Sequence, residues 1–304
     1  MESSCNTNRE LTRVFIWCVP RTLGTALTKC LSYVDGIQVI NEPFVSAFNF
    51  GPESLRANSG AETNTDPVKK FMDSASAVQN VFEKAFDDSK CTYGWVRQQL
   101  EAEYPGKKYL LVKDQAFCLN EKYNSIPPGF RHVFLIRHPY KVYPSWKRLL
   151  TKLFNLDHDP ASLTDLEELN HQPCGMVEMQ FNLLKYVQEN LDPNPVIIDS
   201  DDLQNNPAST LRQFCEAVGI PYNDSLLEWP GNRDIMKTWI GSRIALQGNL
   251  LENEGGFYEN ALRSSSFLPS TATPNRSELS EDVLKVADDA LPFYEQMYQM
   301  RLKP

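Results

Sequence analysis

Val14-Phe15-Ile16-Trp17-Cys18-Val19-Pro20-Arg21-Thr22-Leu23-Gly24-Thr25-Ala26-Leu27-Thr28-Lys29-Cys30-Leu31 passes from an unbroken apolar run, through a short turn, to an amphipathic pattern. Near-continuous apolarity over Arg13–Val19 is what a parallel strand covered on both faces requires. Pro20 stops that strand, and the spacing of Leu27, Cys30 and Leu31 predicts a helix over Thr25–Tyr33. Such a strand–turn–helix aims free backbone N–H groups and the positive helix end at one point. Arg21 and the hydroxyls of Thr22 and Thr25 converge there, which suits an anion of phosphate type. The nucleotide-triphosphatase pattern GxxxxGK[ST] is absent, and with it the usual lysine and magnesium-holding hydroxyl. An ordinary tight turn carrying a surface arginine shares the local pattern, so the reading needs a second anchor.

Working outward, Ile37–Ile40, Tyr109–Val112, His132–Ile136 and Val196–Ile198 read as further buried strands. Helical periodicity covers Asp66–Phe86, Tyr140–Phe154, Cys174–Glu189, Pro207–Val218 and Ser280–Met300. The fourth of these has Asn206 and Pro207 at its start and Gly219 and Pro221 at its end. Alternating strands and helices predict an α/β doubly wound parallel sheet, with ligands at the carboxyl ends of its strands. Residues 1–304 form one domain in this reading, with 1–12 flexible. Gly51–Thr65 is polar and unassigned, and the Ser/Thr/Pro-rich stretch 263–277 is expected to be a mobile loop.

The second anchor follows the strand His132–Ile136. Arg137-His138-Pro139-Tyr140 turns the chain into a helix carrying Ser145, and a guanidinium fork with a hydroxyl forms a natural phosphate clamp. Together these segments resemble the sulfotransferase superfamily. Arg21-Thr22-Leu23-Gly24-Thr25-Ala26 is similar to its 5′-phosphosulfate loop, in the form seen in carbohydrate and tyrosylprotein enzymes. Arg137 and Ser145 match its 3′-phosphate signature Arg-x₇-Ser. Ile198-Asp199-Ser200-Asp201-Asp202-Leu203 resembles the strand end that precedes a Pro-started helix. Ser265-Ser266-Phe267 resembles a nucleotide contact of the cytosolic branch, and Pro292-Phe293-Tyr294-Glu295-Gln296-Met297-Tyr298 the closing helix.

The resemblance implies a P-loop-type sheet and binding of 3′-phosphoadenosine 5′-phosphosulfate. It places Arg21 through Ala26, Arg137, Ser145, Ser200, Ser266 and Phe267 at the nucleotide, with no metal. Two positions depart from the family's pattern: Leu23 stands where many members have glycine, and Ser200 where they have a nucleotide-contacting tyrosine.

Sulfuryl transfer needs a base for the acceptor's proton and cations for the charge left on the bridging oxygen. In the cytosolic branch a histidine follows a Lys-Thr pair. Here Lys113-Asp114-Gln115 follows the strand Tyr109–Val112, and a glutamine cannot be a base. Glu42, in Asn41-Glu42-Pro43-Phe44 after the second strand, resembles the glutamate base of the carbohydrate and tyrosylprotein branches. Pairing with Arg21 or capping a turn is the plain structural alternative for Glu42. Arg21 and Lys113 are the cations expected beside it. His138 reads as structural.

The chain has 304 residues and a formal net charge of −9, which argues against broad nucleic-acid or anionic-membrane binding. Seven cysteines, without CxxC spacing, favour neither a zinc site nor a disulfide framework and suit a reducing cytosol. Met1–Arg13 is polar, and no apolar run is long enough for a signal or membrane helix. The expectation is a cytoplasmic sulfotransferase acting on a hydroxyl or amine of a small acceptor. Its alternatives are a non-catalytic nucleotide-binding protein on the same fold and a P-loop phosphotransferase. Against the latter stand the missing lysine and the absence of a clear magnesium carboxylate other than Asp199.

Overall fold

A computed structural model describes residues 11–54, 84–153, 175–251 and 258–304. Seven parallel strands form one sheet in the order β3-β7-β2-β4-β1-β5-β6. They are β1 (Thr12–Cys18), β2 (Ile37–Asn41), β3 (Ala85–Phe86), β4 (Tyr109–Gln115), β5 (Phe130–Ile136), β6 (Val196–Asp199) and β7 (Ile240–Ser242). The helices are α1 (Gly24–Leu31), α2 (Pro43–Asn49), α3 (Tyr93–Glu101), α4 (Pro139–Leu153), α5 (Met176–Asn190), α6 (Ser200–Asn205), α7 (Pro207–Val218), α8 (Arg243–Leu251), α9 (Glu259–Arg263) and α10 (Glu281–Gln299).

Alternation along β1 explains the layers. Phe15 and Trp17 pack with residues of α2, α3, α4, α5 and α10 on one face. Val14, Ile16 and Cys18 pack with α1, α7 and α9 on the other. Both faces are covered, so the strand reads as continuously apolar. β1 lies between β4 and β5, and the chain leaving β1 goes toward β2 while that leaving β5 goes toward β6. This divergence opens a crevice at the carboxyl edge, where the loops carrying Arg21 and Arg137 are neighbours.

Several expectations shift. Residues 1–10 lie outside the described residues, but Leu11 is buried and Thr12 already belongs to β1, so the flexible start does not extend to 12. Of the helix expected over 66–86, residues 66–83 lie outside the described residues, while Ala85–Phe86 pair in parallel with β7 as a strand. Only 51–54 of the Gly51–Thr65 stretch are described. The stretch 263–277 is irregular yet fastened. Ser265 O accepts from Trp229 N at 2.9 Å, Leu268 O from Gln204 at 2.8 Å, and Thr271 O from Lys141 at 2.5 Å. Ser270 Oγ donates to Asp201 at 2.6 Å.

Candidate active site

The carboxyl edge is built from strand register. Cys18 of β1 pairs with Gln115 of β4 and Leu135 of β5, and Asn41 of β2 pairs with Lys113 of β4. Arg21, Glu42, Lys113 and Arg137 therefore leave neighbouring strands at similar heights. Alternation sends Lys113 to the α1 face and Asp114 to the α2 face.

The loop between β1 and α1 is tightly wound. Arg21 and Leu23 both have φ 68°, in the left-handed region that favours glycine. Glycine at 24 has a different cause. A Cβ there would meet Lys113 Cε at 2.9 Å and Cys18 Sγ at 3.0 Å, so the lysine stem passes directly against the start of α1. Thr22 is fully buried and its hydroxyl donates to Val19 O at 2.7 Å, which shapes the turn from inside. Ser200 Oγ lies 2.8 Å from both Thr22 O and Ile136 O. Its hydroxyl ties the β1 loop to the end of β5. Gln180 of α5 adds a second tie, donating to Trp17 O and Leu135 O at 3.2 and 3.1 Å.

Guanidinium groups gather on this frame. Arg21 Nε donates to Ser145 Oγ at 3.0 Å, and Arg137 Nη1 donates to Arg21 O at 2.9 Å. Arg21 joins no ion pair among the described residues. Burial, and then the like charges of Arg137 and Arg148, push its pKa down. Arg137 reaches Asp201 only at 3.9 Å, and its buried Nε has no hydrogen-bond partner. Two half-buried arginines short of counter-charge, beside a hydroxyl and a helix N-terminus, attract an anion. The expected residues Arg21, Arg137 and Ser145 are thus brought together. Thr25 and Ala26 occupy the first turn of α1.

Glu42 meets one of its two expected cations. It sits at φ 53° as the position before Pro43, yet its carboxylate does not cap α2. Asp114 does this instead, accepting from Phe44 N at 2.5 Å and Val45 N at 3.2 Å. The Glu42 carboxylate pairs with Lys113 rather than Arg21 and accepts a hydrogen bond from the Tyr258 hydroxyl. Gln115 Nε2 donates to the same oxygen as Lys113, at 3.0 Å. Glu42, Lys113 and Tyr258 are 4%, 3% and 6% exposed, so solvent screens this cluster little. Burial works to raise the Glu42 pKa, but the Lys113 charge and the hydrogen bonds from Lys113, Tyr258 and Gln115 outweigh it and hold the carboxyl low. Nearby, Asn41 Oδ1 and Gln115 Oε1 are buried without a hydrogen-bond donor.

Tyr258 escaped the sequence reading. It is 216 residues from its partner, and no local pattern marks it. Phe267 is buried edge-to-face against Trp229, 5.0 Å between ring centres, and Ser266 is half-buried beside it. His138 Nδ1 accepts from Tyr140 N at 3.1 Å, a structural role. Beyond it a cleft of about 880 Å³ is lined by Asp199, Asp201, Asp202 and Glu295. Asp199 there caps α6 and accepts from Tyr294. Among the described residues no group of three or more His, Cys, Asp or Glu is placed to hold a metal, and no helix is long and apolar enough to cross a membrane.

Residues 191–301 match the family model of the sulfotransferase domain. The matched stretch contains β6, the Ser200 tie and α10, whereas the loop of Arg21 lies upstream of it. Among curated proteins the chain is similar to "Branched-chain-amino-acid aminotransferase-like protein 2" of Arabidopsis thaliana, 26% identical over 71% of this chain. That stretch is 31% of the plant protein, so the chain spans about a third of the relative's length. Among solved structures it is similar to a sulfotransferase domain from the curacin biosynthetic pathway, at 17% identity and TM-score 0.48, covering 92% of this chain and 98% of that one. A sulfotransferase domain of the Synechococcus PCC 7002 olefin synthase gives 16% identity, TM-score 0.44, and coverage of 93% and 96%. The fold assignment rests on the sheet order above rather than on these scores.

Proposed function

We propose that the domain moves the sulfuryl group of 3′-phosphoadenosine 5′-phosphosulfate to a hydroxyl or amine of a small acceptor, with Glu42 as general base. One observation carries this reading. A buried carboxylate at the end of β2 is joined, through Lys113, to the underside of an anion cradle at the ends of β1 and β5. Arg21, the N–H groups opening α1, Arg137 and Ser145 are the groups to hold the nucleotide's phosphates. The unpartnered Arg137 Nε and the uncompensated Arg21 fit such a ligand. The nucleotide supplies an activated sulfuryl.

The protein's own part is electrostatic and positional. The acceptor heteroatom bonds to sulfur as the sulfur–oxygen bond to the 5′-phosphate breaks. Its proton goes to Glu42, and the charge left on the phosphate falls to Arg21 and Lys113. The buried oxygens of Asn41 and Gln115 lack donors, and a hydroxyl or amine brought to Glu42 would supply one.

The donor reading is tested by thermal unfolding with 3′-phosphoadenosine 5′-phosphate in the presence of a chelator. Ligand at a hundredfold excess over its dissociation constant adds about 2.7 kcal/mol of stability. The melting temperature should rise and the rise should survive chelation, because arginines do the work of magnesium here. Stabilisation by ATP with Mg²⁺, and none by the bisphosphate, contradicts the reading and favours a phosphotransferase.

A further inference from the structure

The Glu42 cluster contains a group that the expected machinery lacks. The Tyr258 hydroxyl donates to Glu42 Oε2 and accepts from Asn41 Nδ2 at 3.3 Å, while Lys113 Nζ stands 5.9 Å from the centre of its ring. Lys113 and Gln115 take the other carboxylate oxygen. Glu42 is thus gripped from both oxygens, and Tyr258 alone among its described partners comes from outside the β2 and β4 ends.

Tyr258 opens the short helix α9, and the far end of that helix is held by Lys29. Lys29 is fully buried on α1, joins no ion pair among the described residues, and donates to Leu262 O at 2.5 Å and Ser264 O at 2.7 Å. These carbonyls close α9, where a cation also meets the negative end of the helix. A buried ammonium is costly to keep unless such groups receive it. One face of α1 therefore presents the phosphate loop, and another anchors the element that reaches Glu42.

We propose that Tyr258 is a positioning residue for Glu42, and that Lys29 fixes α9 to α1 so that the base and the phosphate cradle are assembled as one unit. The hydroxyl hydrogen bond on Oε2, opposite those of Lys113 and Gln115 on Oε1, fixes the orientation of the carboxylate. The helix clamp sets the distance of the carboxylate from the loop. This inference rests on the reading of Glu42 as the base, but part of its test does not.

The experiment follows the carboxyl titration of Glu42 by carbon-13 NMR in glutamate-labelled protein, the signal being assigned by its loss in Glu42→Gln. Melting temperature and affinity for 3′-phosphoadenosine 5′-phosphate are measured on the same samples. In Tyr258→Phe the titration should move up by about one pH unit, since a hydrogen bond favouring the charged form is gone. Nucleotide affinity should hold within a few-fold. Lys29→Met should move the titration in the same direction by less. With a turnover assay in hand, Tyr258→Phe should lower kcat about tenfold or more with the donor KM unchanged, and the acid limb of its pH profile should shift with the titration. A folded Tyr258→Phe protein whose Glu42 titrates as in the parent overturns the proposal. Parental titration in Lys29→Met overturns the part given to Lys29. A parent without sulfuryl transfer sinks the function proposed above, while the titration still decides the role of Tyr258.

Discussion

At the scale of single residues, the carboxyl edge concentrates backbone strain. Arg21, Leu23 and Glu42 all hold positive φ without being glycine. Each left-handed non-glycine residue costs roughly 1–2 kcal/mol, and such costs persist where the surroundings over-determine the geometry. Leu23 is the position where the family resemblance led one to expect glycine, and its φ of 68° supplies the physical reason for that residue. Two substitutions separate strain from packing. Leu23→Ala removes side-chain contacts and keeps the strain, while Leu23→Gly removes both. Leu23→Gly should therefore be more stable than Leu23→Ala by about 1 kcal/mol in urea unfolding. Alanine above glycine would mean that the strain is absent in solution.

Residue-level reading of the sequence pairs Ser145 with Arg137, whereas in the structure Ser145 accepts from Arg21 and Arg137 donates to the Arg21 carbonyl; for Glu42 it is incomplete. Arg21 and Arg137 follow strands whose apolarity is evident in the chain, so their convergence could be argued from topology. The partner of Glu42 was decided by side-chain alternation along β4, which turns Lys113 toward α1 and Asp114 away. Gln115, excluded as a base, proves to be a hydrogen-bond donor to the carboxylate. Tyr258 was invisible because its contact depends on where α9 docks.

Among the elements, α2 shows how the site is freed to act. Pro43 marks a helix start, and the residue before it would ordinarily cap that helix with its own side chain. Glu42 does not, because Asp114 reaches over from β4 to accept the N–H groups of Phe44 and Val45, and also that of Gln115 at 2.8 Å. Burial pushes the Asp114 carboxyl up to about 8, against the pull of these N–H groups. One carboxyl thus serves the helix, and the other is left to Lys113, Gln115 and Tyr258. In Asp114→Asn an amide NH₂ replaces one acceptor oxygen and faces a backbone N–H. Leaving a buried donor unsatisfied costs about 1–3 kcal/mol, and urea unfolding should show a loss of that size. A loss within about 0.5 kcal/mol, the usual effect of a surface change, would show that the cap is not formed.

The short edge strands mark the limit of pattern reading. β3 has two residues and β7 three, Ile240-Gly241-Ser242, too few for a period to register. They exist because β2 offers an open edge. α9, at five residues, is likewise stabilised by its contacts, Lys29 included, rather than by its own sequence.

For the molecule as a whole, the net charge of −9 does not oppose the proposed binding of a polyanion, because charge is sorted by place. Carboxylates line the cleft beside β6 and α10, while the arginines stand at the ends of β1 and β5. Parallel strands with diverging connections create that second location, and the chain pattern alone predicts an anion there. The acceptor was not legible, since Glu42, Lys113 and Tyr258 come together only from distant segments of the chain.

The account's central claim is that this edge transfers a sulfuryl group with Glu42 taking the acceptor's proton. It is tested most directly by incubating the protein with sulfur-35-labelled 3′-phosphoadenosine 5′-phosphosulfate and a small-molecule cell extract, and measuring label moved into extract components. The parent should transfer label with a chelator present. Glu42→Gln, with its nucleotide affinity and melting temperature close to the parent's, should transfer it about 10²–10⁴ times more slowly. Equal transfer by Glu42→Gln, or none by a parent that binds the nucleotide, would contradict the account.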